Sequence, residues 1–363
     1  MEILSNISFY FFSFVIVLSI IVFVHEFGHY YVAILNKVKV ETFSIGFGKE
    51  IFGWNDKRGT RWKFCYFPFG GYIKMFGEDN FSSKKKIPLN LSKYAFSKKK
   101  IYQKFLIVLA GPLANFIFGI IGFAFIYSLI GKTFIPAVIN KVENNSPAFM
   151  VGLLKDDKII KIDNNKIESF NDIGIFINLY KKKTYTFELI RDEKIIEKNV
   201  NPIFVVEDFY GQERQIARIG ISSYEPIIKK YPFYKSLYLG TKSTYQICSL
   251  TLKALHQMII GKGSIDDLGG PLKIAHFSGK MLEQGFLSFV NLIILLSISI
   301  GLINLFPIPM LDGGHLVLYL VEFLIGKPID KNIQEKIFKI GFAIIITLAV
   351  LLTYNDIINL FKF

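Results

Sequence analysis

The chain is short of cysteine, of acidic residues and, over several long stretches, of any charge. Cys65 and Cys248 are its only cysteines, too few for a disulfide framework. Asp and Glu total 29 against 43 Lys and Arg, which gives a formal net charge of +14. With 52% hydrophobic residues, the 363-residue chain is too apolar for an ordinary soluble protein and for a disordered one. The composition indicates a protein divided between lipid and water.

Four stretches without charge carry most of the apolar excess. Residues 3–24 hold no charged side chain, and a helix at ~1.5 Å per residue would cover the ~30 Å hydrocarbon core over this length. Two more uncharged stretches cover residues 105–131 and 284–311. A fourth, 340–355, reaches a spanning length if its helix begins near Ile333 with charges at the interface. We therefore predict a polytopic α-helical membrane protein with about four transmembrane helices.

Two alternative interpretations of the apolar stretches are less favoured. The first stretch could be a secretory signal peptide, but no Lys or Arg precedes Lys37 and no small-residue cleavage site follows it. Residues 226–260 could be a fifth span, but Lys235, Lys242 and Lys253 interrupt them. We expect this segment to form an amphipathic helix at the outer interface.

The distribution of positive charge predicts the orientation in the membrane. Residues 34–104 hold 16 Lys and Arg against 5 Asp and Glu, whereas the flank before the first span has only Glu2. By the positive-inside rule, this loop is cytoplasmic and the N-terminus lies outside. Residues 132–285 then lie outside. They are basic too, but long translocated segments have little influence in this rule.

The first loop divides into an aromatic half and a lysine-rich half. Residues 40–80 alternate aromatic and β-branched residues with glycines, which predicts a membrane-associated β-hairpin with an apolar tip. Residues 78–104 are predicted to lie at the surface. The clusters Lys84–Lys86 and Lys98–Lys100 could bind nucleic acid, but beside a membrane span they are better interpreted as contacts with anionic lipid headgroups. Membrane lipid is therefore an expected partner, and nucleic acid is not.

Residues 132–203 are predicted to form one small α/β domain on the outer side. A short helix opens at Ser146, and strands are expected at 184–190 and 194–200. The order of these elements resembles a PDZ domain of the circularly permuted bacterial kind. One departure is Asp156, where such domains usually carry glycine.

The sequence His25-Glu26-Phe27-Gly28-His29 lies at the inner end of the first apolar stretch. Helical positions i and i+4 differ by about 40° in direction, so His25 and His29 share a face and can bind one metal ion. Glu26 stands beside the first ligand, where it can act as a base without ligating the metal. A chance match is a poor explanation, since multiplying residue frequencies gives roughly 0.003 expected occurrences per chain. Ionisable residues within a span also persist mainly where they bind, pair or react.

A catalytic zinc site usually has a third protein ligand, for which Asp312 is the candidate. The third apolar stretch closes on this carboxylate after two prolines, an arrangement tolerated at membrane depth where protein or a watery cavity receives the backbone. The first and third spans both run from outside to inside, so Asp312 and the histidine pair fall on the same side of the membrane. Asp312 could instead simply mark the interfacial end of a helix, and His315 could compete as the ligand.

Four features occur together in one order along nearly the whole chain. They are HEFGH, the run AGPLAN at Ala110–Asn115, the PDZ-like insert, and NLFPIPMLDGGH at Asn304–His315. They resemble the site-2 protease family of intramembrane zinc metalloproteases, and within it the bacterial RseP-type (regulator of sigma E protease) branch. GFGKE at Gly46–Glu50 and FPFGGYIKMFGED at Phe67–Asp79 match the membrane-associated β-hairpin of that branch. The chain has room for one PDZ domain, where the enterobacterial form has two.

The resemblance implies a role for each candidate site residue. Zn²⁺ is expected on His25, His29 and Asp312, with Glu26 as the catalytic base. Asn304 and Asn115 are expected to hydrogen-bond the substrate backbone or the developing oxyanion, although Asn115 could equally be a polar contact between helices. The hairpin around Gly70 and Gly71 could pair with an unwound substrate strand.

The resemblance also implies the substrate class and the place of action. The expected substrates are single-span membrane proteins, namely an anti-sigma factor already trimmed by an upstream site-1 protease and signal-peptide remnants, cleaved in regulated intramembrane proteolysis. The location implied is the bacterial inner membrane, with the N-terminus and PDZ-like domain in the periplasm and the active site near the cytoplasmic side. A metal transporter, or an inactive relative acting as a membrane scaffold, is the competing class.

The predicted segments are the first span (1–36), the cytoplasmic loop (37–104), the second span (105–131), the PDZ-like domain (132–203), an outer-side linker with an amphipathic helix (204–285), the third span with the ligand motif (286–312), and the fourth span with the C-terminus (313–363).

Overall fold

The structure, a computed structural model, describes residues 2–78, 87–208, 213–261 and 269–361. Within these ranges it contains nine α-helices and twelve strands. The helices are α1 (Glu2–Leu35), α2 (Ile101–Leu129), α3 (Pro147–Met150), α4 (Phe170–Tyr180), α5 (Phe233–Ile259), α6 (Pro271–Glu283), α7 (Phe286–Asn304), α8 (Asp312–Ile325) and α9 (Lys331–Phe361). The strands are β1 (Val40–Asn55), β2 (Arg61–Met75), β3 (Lys132–Phe134), β4 (Ile139–Val142), β5 (Lys158–Ile162), β6 (Asn165–Lys166), β7 (Tyr185–Arg191), β8 (Lys194–Val200), β9 (Ile203–Asp208), β10 (Glu213–Arg218), β11 (Ile221–Ser223) and β12 (Ile227–Lys229).

Four helices of the described chain are long and apolar enough to cross a membrane. They are α1 from Ser8 onward, α2, α7 and the Asn332–Ile358 part of α9. Each overlaps one of the uncharged stretches seen in the sequence, so the prediction of about four membrane-spanning helices is confirmed. The long helix α5 is not one of the four.

The chain divides into two compact units. The helical unit comprises Met1–Phe123, Gly240–Cys248 and Gly269–Ile358, and the α/β unit comprises Ala124–Leu239, Ser249–Leu268 and Asn359–Phe363. The helical unit contains α1, α7, α8 and the β1–β2 sheet, and all the predicted catalytic and metal-binding residues belong to it.

Strands β1 and β2 pair with each other over most of their length, but they fold further than a simple hairpin. Phe43 in β1 is opposite both Ile73 and Trp62 of β2, so the start of β1 has neighbours on both sides. Among the residues that the structure describes, 71–75 pair only with residues 40–45, and they therefore form an edge of the sheet. Gly46 permits this folding because its φ of +86° suits glycine, and an added Cβ would lie 2.8 Å from the carbonyl oxygen of Phe67.

One aspartate ties the β1–β2 turn to the end of α1. Asp56 accepts hydrogen bonds from the Tyr30 hydroxyl at 2.8 Å and the Trp62 indole N–H at 3.0 Å. Tyr30 directly follows His29 in the chain, so this carboxylate holds the sheet against the helix that carries the predicted metal ligands.

The prediction that residues 78–104 lie at the surface is wrong for Ala95 and Phe96. Both are buried, and Phe96 packs in a core with Met75 and Val38. The backbone N–H of Phe96 also donates to the carbonyl of Phe76 at 2.8 Å. Lysines dominate the composition of this segment, so the sequence pattern does not indicate that these two apolar residues fold back onto the sheet. The Lys84–Lys86 cluster lies outside the described residues.

The α/β unit is built around a four-stranded antiparallel sheet in the order β6-β5-β7-β8, with a core in which Ile159 and Phe187 pack with Ile173 of α4. Strand β11 pairs with β4, so residues beyond the predicted domain end at 203 belong to the fold, and the predicted linker 204–285 begins with strands. Local sequence carries no sign of this pairing because its partners lie some eighty residues apart. Asp156 adopts a left-handed φ of +69°, which explains why glycine suits this position.

At the junction of α6 and α9, a carboxylate caps a helix. Asp356 is 3% exposed, and its two oxygens accept hydrogen bonds from the backbone N–H groups of Gly270 at 3.1 Å and Lys273 at 3.0 Å. These amides lie at the start of α6, where no preceding helical turn supplies a carbonyl acceptor for them. The pair of bonds fastens the start of α6 to α9.

Candidate metal centre

Close packing between α1 and α2 positions the histidine pair. A Cβ added to Gly28 would lie 2.3 Å from the carbonyl oxygen of Ala110, and one added to Gly111 would lie 2.2 Å from Nε2 of His29. These two glycines therefore permit the approach of α2 to the metal-binding turn of α1. In the sequence they are the fourth residue of HEFGH and the second of AGPLAN.

A tight loop between α7 and α8 delivers Asp312 to the same place. Met310 adopts a left-handed φ of +80°, and the Leu311 N–H donates to the carbonyl of Ile308 at 3.1 Å. Gly313 and Gly314 lie directly against this loop, since a Cβ on either would come within 2.4 Å of a backbone carbonyl oxygen. The two prolines thus end α7, and the two glycines allow α8 to start immediately with Asp312 in its first turn.

Three ligand atoms converge between α1 and α8. Nε2 of His25 lies 3.1 Å from Oδ2 of Asp312, Nε2 of His29 lies 3.5 Å from Oδ1, and the two Nε2 atoms are 3.3 Å apart. A tetrahedral zinc ion with bonds of ~2.0–2.1 Å separates its ligand atoms by ~3.3–3.4 Å, so the spacing fits this metal. Oδ2 of Asp312 is buried and forms no hydrogen bond with any described residue, as expected of a lone pair kept for a cation.

The surroundings of Asp312 and of the far side of His29 suit metal ligation. Burial alone would raise the pKa of Asp312, but the neighbouring imidazoles of His25 and His29 hold it below its ordinary value, so the side chain is a carboxylate anion. On its far side, the His29 imidazole places Nδ1 2.8 Å from the carbonyl oxygen of Ile107. Nδ1 therefore carries a proton, and in the neutral imidazole the lone pair lies on Nε2, which faces the site.

His315 belongs to the same cavity but not to the ligand group. In the described part of the chain, the metal-capable group here consists of His25, His29 and Asp312. The ring of His315 packs at a tilt against that of Phe338, with ring centroids 4.8 Å apart, and burial lowers the pKa of His315. Of the two ligand candidates that the sequence offers in this segment, the geometry favours Asp312.

A cavity of 430 Å³ opens beside the three ligands. Of the predicted site residues, Glu26, Gly70, Gly71 and Asn304 also line it, together with the three ligands. Asn115 does not: it is fully buried, with its amide nitrogen 3.3 Å from Nδ1 of His25. The placement of Asn115 fits a contact between helices, the alternative left open by the sequence.

The cavity also has walls that the sequence did not indicate. Glu78, Phe96 and Tyr319 line it beside the predicted residues. Tyr319 lies on the face of α8 that bears His315, four residues earlier, so helical spacing from Asp312 could have suggested it. Phe96 has no local signal because the fold alone brings it to the site.

Comparison with known proteins agrees with this geometry. The profile of Peptidase family M50 matches residues 13–348, which include all three ligands and Glu26. Proteins named "putative zinc metalloprotease" are similar over nearly their full length. One from Rickettsia conorii is 42% identical over 96% of this chain and 99% of its own. Others are 35% identical in Rhizobium meliloti, over 99% of both chains, and 34% identical in Agrobacterium fabrum, over 97% of this chain and 96% of its own. The chain belongs to Peptidase family M50, the site-2 protease family of zinc-dependent membrane proteases.

Proposed function

We propose that this protein is an intramembrane zinc endopeptidase that cleaves single-span membrane proteins. The observation that carries the proposal is one cavity in which the metal ligands, Glu26 and an open sheet edge lie together. The ligands His25 and His29 are near the end of a membrane-spanning helix, so a peptide bond cut there lies within or at the border of the bilayer.

The edge at residues 71–75 offers a place for an unwound substrate. A transmembrane helix has its amides paired internally, so it must unwind before its peptide bonds can be attacked. An extended segment can add to a sheet edge through main-chain hydrogen bonds. Gly71 faces Glu26, because a Cβ added there would lie 3.5 Å from Cγ of Glu26, so a strand at this edge runs past the catalytic carboxylate. Gly70 and Gly71 keep side chains out of that path.

Glu26 performs the proton transfers of hydrolysis. His25, His29 and Asp312 would hold a zinc ion, which would supply the Lewis acidity that polarises a peptide carbonyl and acidifies water near neutral pH. The Glu26 carboxylate takes a proton from the attacking water and returns it to the leaving nitrogen as the C–N bond breaks. Asn304, at the end of α7, donates its amide N–H to the carbonyl oxygen on which negative charge develops.

The α/β unit filters substrates on the outer side of the membrane. Its element order resembles a single PDZ domain, and the excess of Lys and Arg in residues 34–104 supports an inner-membrane orientation with this unit in the periplasm. The proposed substrates are an anti-sigma factor trimmed by an upstream site-1 protease and signal-peptide remnants. Both are short outside the membrane, which suits a unit that excludes bulky outer domains.

Replacement of Glu26 tests the proposal. The full chain and its Glu26→Gln variant would be reconstituted in liposomes with a single-span substrate, and cleavage and bound zinc would be measured together. We expect cleavage to fall by ~10²–10⁴-fold with zinc content unchanged. Glu225→Gln makes the same chemical change at an exposed position of the α/β unit and should leave both unchanged. Continued cleavage by Glu26→Gln would refute the mechanism.

A further inference from the structure

The two ligand imidazoles are supported from behind by different groups of α2. His29 faces a backbone carbonyl, that of Ile107, at 2.8 Å. His25 faces a side-chain amide, with its Nδ1 3.3 Å from Nδ2 of Asn115. A carbonyl can only accept a hydrogen bond, whereas an amide side chain can donate or accept, depending on which atom it presents.

Metal binding decides what His25 requires of its neighbour. Nε2 of His25 points at Asp312 and His29, so this nitrogen is the one that ligates zinc. The neutral ligating imidazole then carries its proton on Nδ1, which becomes a donor. An amide NH₂ group opposite Nδ1–H would set two donors against each other.

The unused oxygen of Asn115 resolves this conflict. Oδ1 of Asn115 is buried and has no hydrogen-bond partner among the described residues. A half-turn of the amide about its Cβ–Cγ bond exchanges oxygen and nitrogen with almost no change of shape. It gives both Oδ1 and the Nδ1 proton a partner.

We propose that Asn115 is a positioning residue, whose Oδ1 accepts the Nδ1–H bond of His25 when zinc is bound. This role rests on the proposed function. It gives His25 the same support that Ile107 gives His29, and it fixes both the tautomer and the ring plane of the ligand. Asn115 acts through His25 and does not touch the substrate.

The fold holds Asn115 where this role requires it. Asn115 is 0% exposed, and a Cβ added to Gly301 of α7 would lie 3.0 Å from the Cβ of Asn115. Separately, Ser297 of α7 donates from Oγ to the backbone oxygen of Asn115 at 3.4 Å, a bond that does not involve the Asn115 side chain. A buried amide is costly unless its polar atoms are paired. The close contact with α7 keeps the Asn115 side chain beside His25, where the amide can pair with Nδ1.

Zinc affinity of the full chain in detergent provides the test. Competition with a chelator would give the zinc Kd for the unmodified chain and for the variants Asn115→Leu, Asn115→Asp and Ser297→Ala. Asn115→Leu keeps the size but offers no acceptor, and we expect it to bind zinc ~10–100-fold more weakly. Asn115→Asp offers only acceptor oxygens and should bind zinc at least as tightly as the unmodified chain.

The variants separate support of the ligand from simple packing. Ser297→Ala removes a hydrogen bond to the Asn115 backbone only and should leave the zinc Kd unchanged. If Asn115→Leu fails to fold, Asn115→Asp still decides, because packing that depends on the NH₂ group would lower its zinc affinity and overturn the inference. Unchanged affinity in Asn115→Leu would also overturn it. Neither result would affect the proposed protease activity, which Glu26→Gln tests separately.

Discussion

Two aspartates with buried carboxylate oxygens, Asp312 and Asp356, lie in the same helical unit and are used in opposite ways. Both oxygens of Asp356 accept backbone hydrogen bonds, from Gly270 and Lys273. Asp312, in contrast, has a buried Oδ2 with no hydrogen bond to any described residue and two imidazole nitrogens within 3.5 Å of its oxygens. A satisfied carboxylate stabilises a helix junction, and an unsatisfied one among imidazoles indicates a metal site.

The contrast has an energetic side. The Asp312 carboxylate depends on the imidazoles of His25 and His29, which hold its pKa below the ordinary value. Each oxygen of Asp356 instead meets a backbone N–H group. Zinc binding is expected to stabilise the helical unit further, since a ligand that binds only the folded state stabilises it.

The largest effect expected from breaking this contrast comes from Asp312→Asn. A neutral amide is a poorer zinc ligand than a carboxylate. Zinc affinity should therefore fall by more than the ~10–100-fold that is typical when a residue hydrogen-bonded to a metal ligand is replaced. Substrate cleavage should be lost with it. The metal-free variant should also melt lower than the metal-free parent, because the imidazoles of His25 and His29 stabilise the Asp312 anion in the folded state, as its lowered pKa indicates. Chelator competition and thermal unfolding would measure the two effects, and full zinc binding by the variant would contradict the assignment.

Sequence reasoning was strong where the chemistry is local and weak where it depends on long-range contacts. His25, Glu26 and His29 could be predicted because helical spacing alone puts the two ligands on one face. Asp312 followed from the breaks in the third apolar stretch. The four spans were predictable because bilayer thickness fixes their length.

The missed features all depend on partners distant in the chain. Phe96 lines the cavity only because a lysine-rich segment folds back, and β11 joins β4 across some eighty residues. The support of His25 by Asn115 depends on the packing of α2 against α1. In the sequence, Asp312 and Asp356 look alike, as carboxylates closing apolar stretches. Only their neighbours in the fold separate a metal ligand from a helix cap.

A third buried carboxylate, Asp157 in the α/β unit, sharpens the comparison because its partner is a cation. Arg191 donates to both of its oxygens at 2.7 Å, and Asp157 is 1% exposed. Asp157→Asn should destabilise this unit by roughly 2–3 kcal/mol, because it leaves the guanidinium without its anion. Hydrogen–deuterium exchange in β5 and β7 would show the loss as faster exchange. Zinc binding should not change, and a fall in zinc affinity would mean that Asp157 serves more than its own unit.

The smallest effect is expected from Asp356→Asn, which leaves one acceptor oxygen and turns an NH₂ group toward a backbone N–H. Losing one capping bond should cost about 1–2 kcal/mol, felt mainly at the start of α6. Hydrogen exchange over residues 271–275 should accelerate, while zinc Kd and cleavage stay near those of the unmodified chain. The reverse result, lower zinc affinity with unchanged exchange in α6, would place Asp356 with Asp312 and end the distinction between them. The distinction therefore depends on which property each aspartate controls, and burial alone does not reveal it.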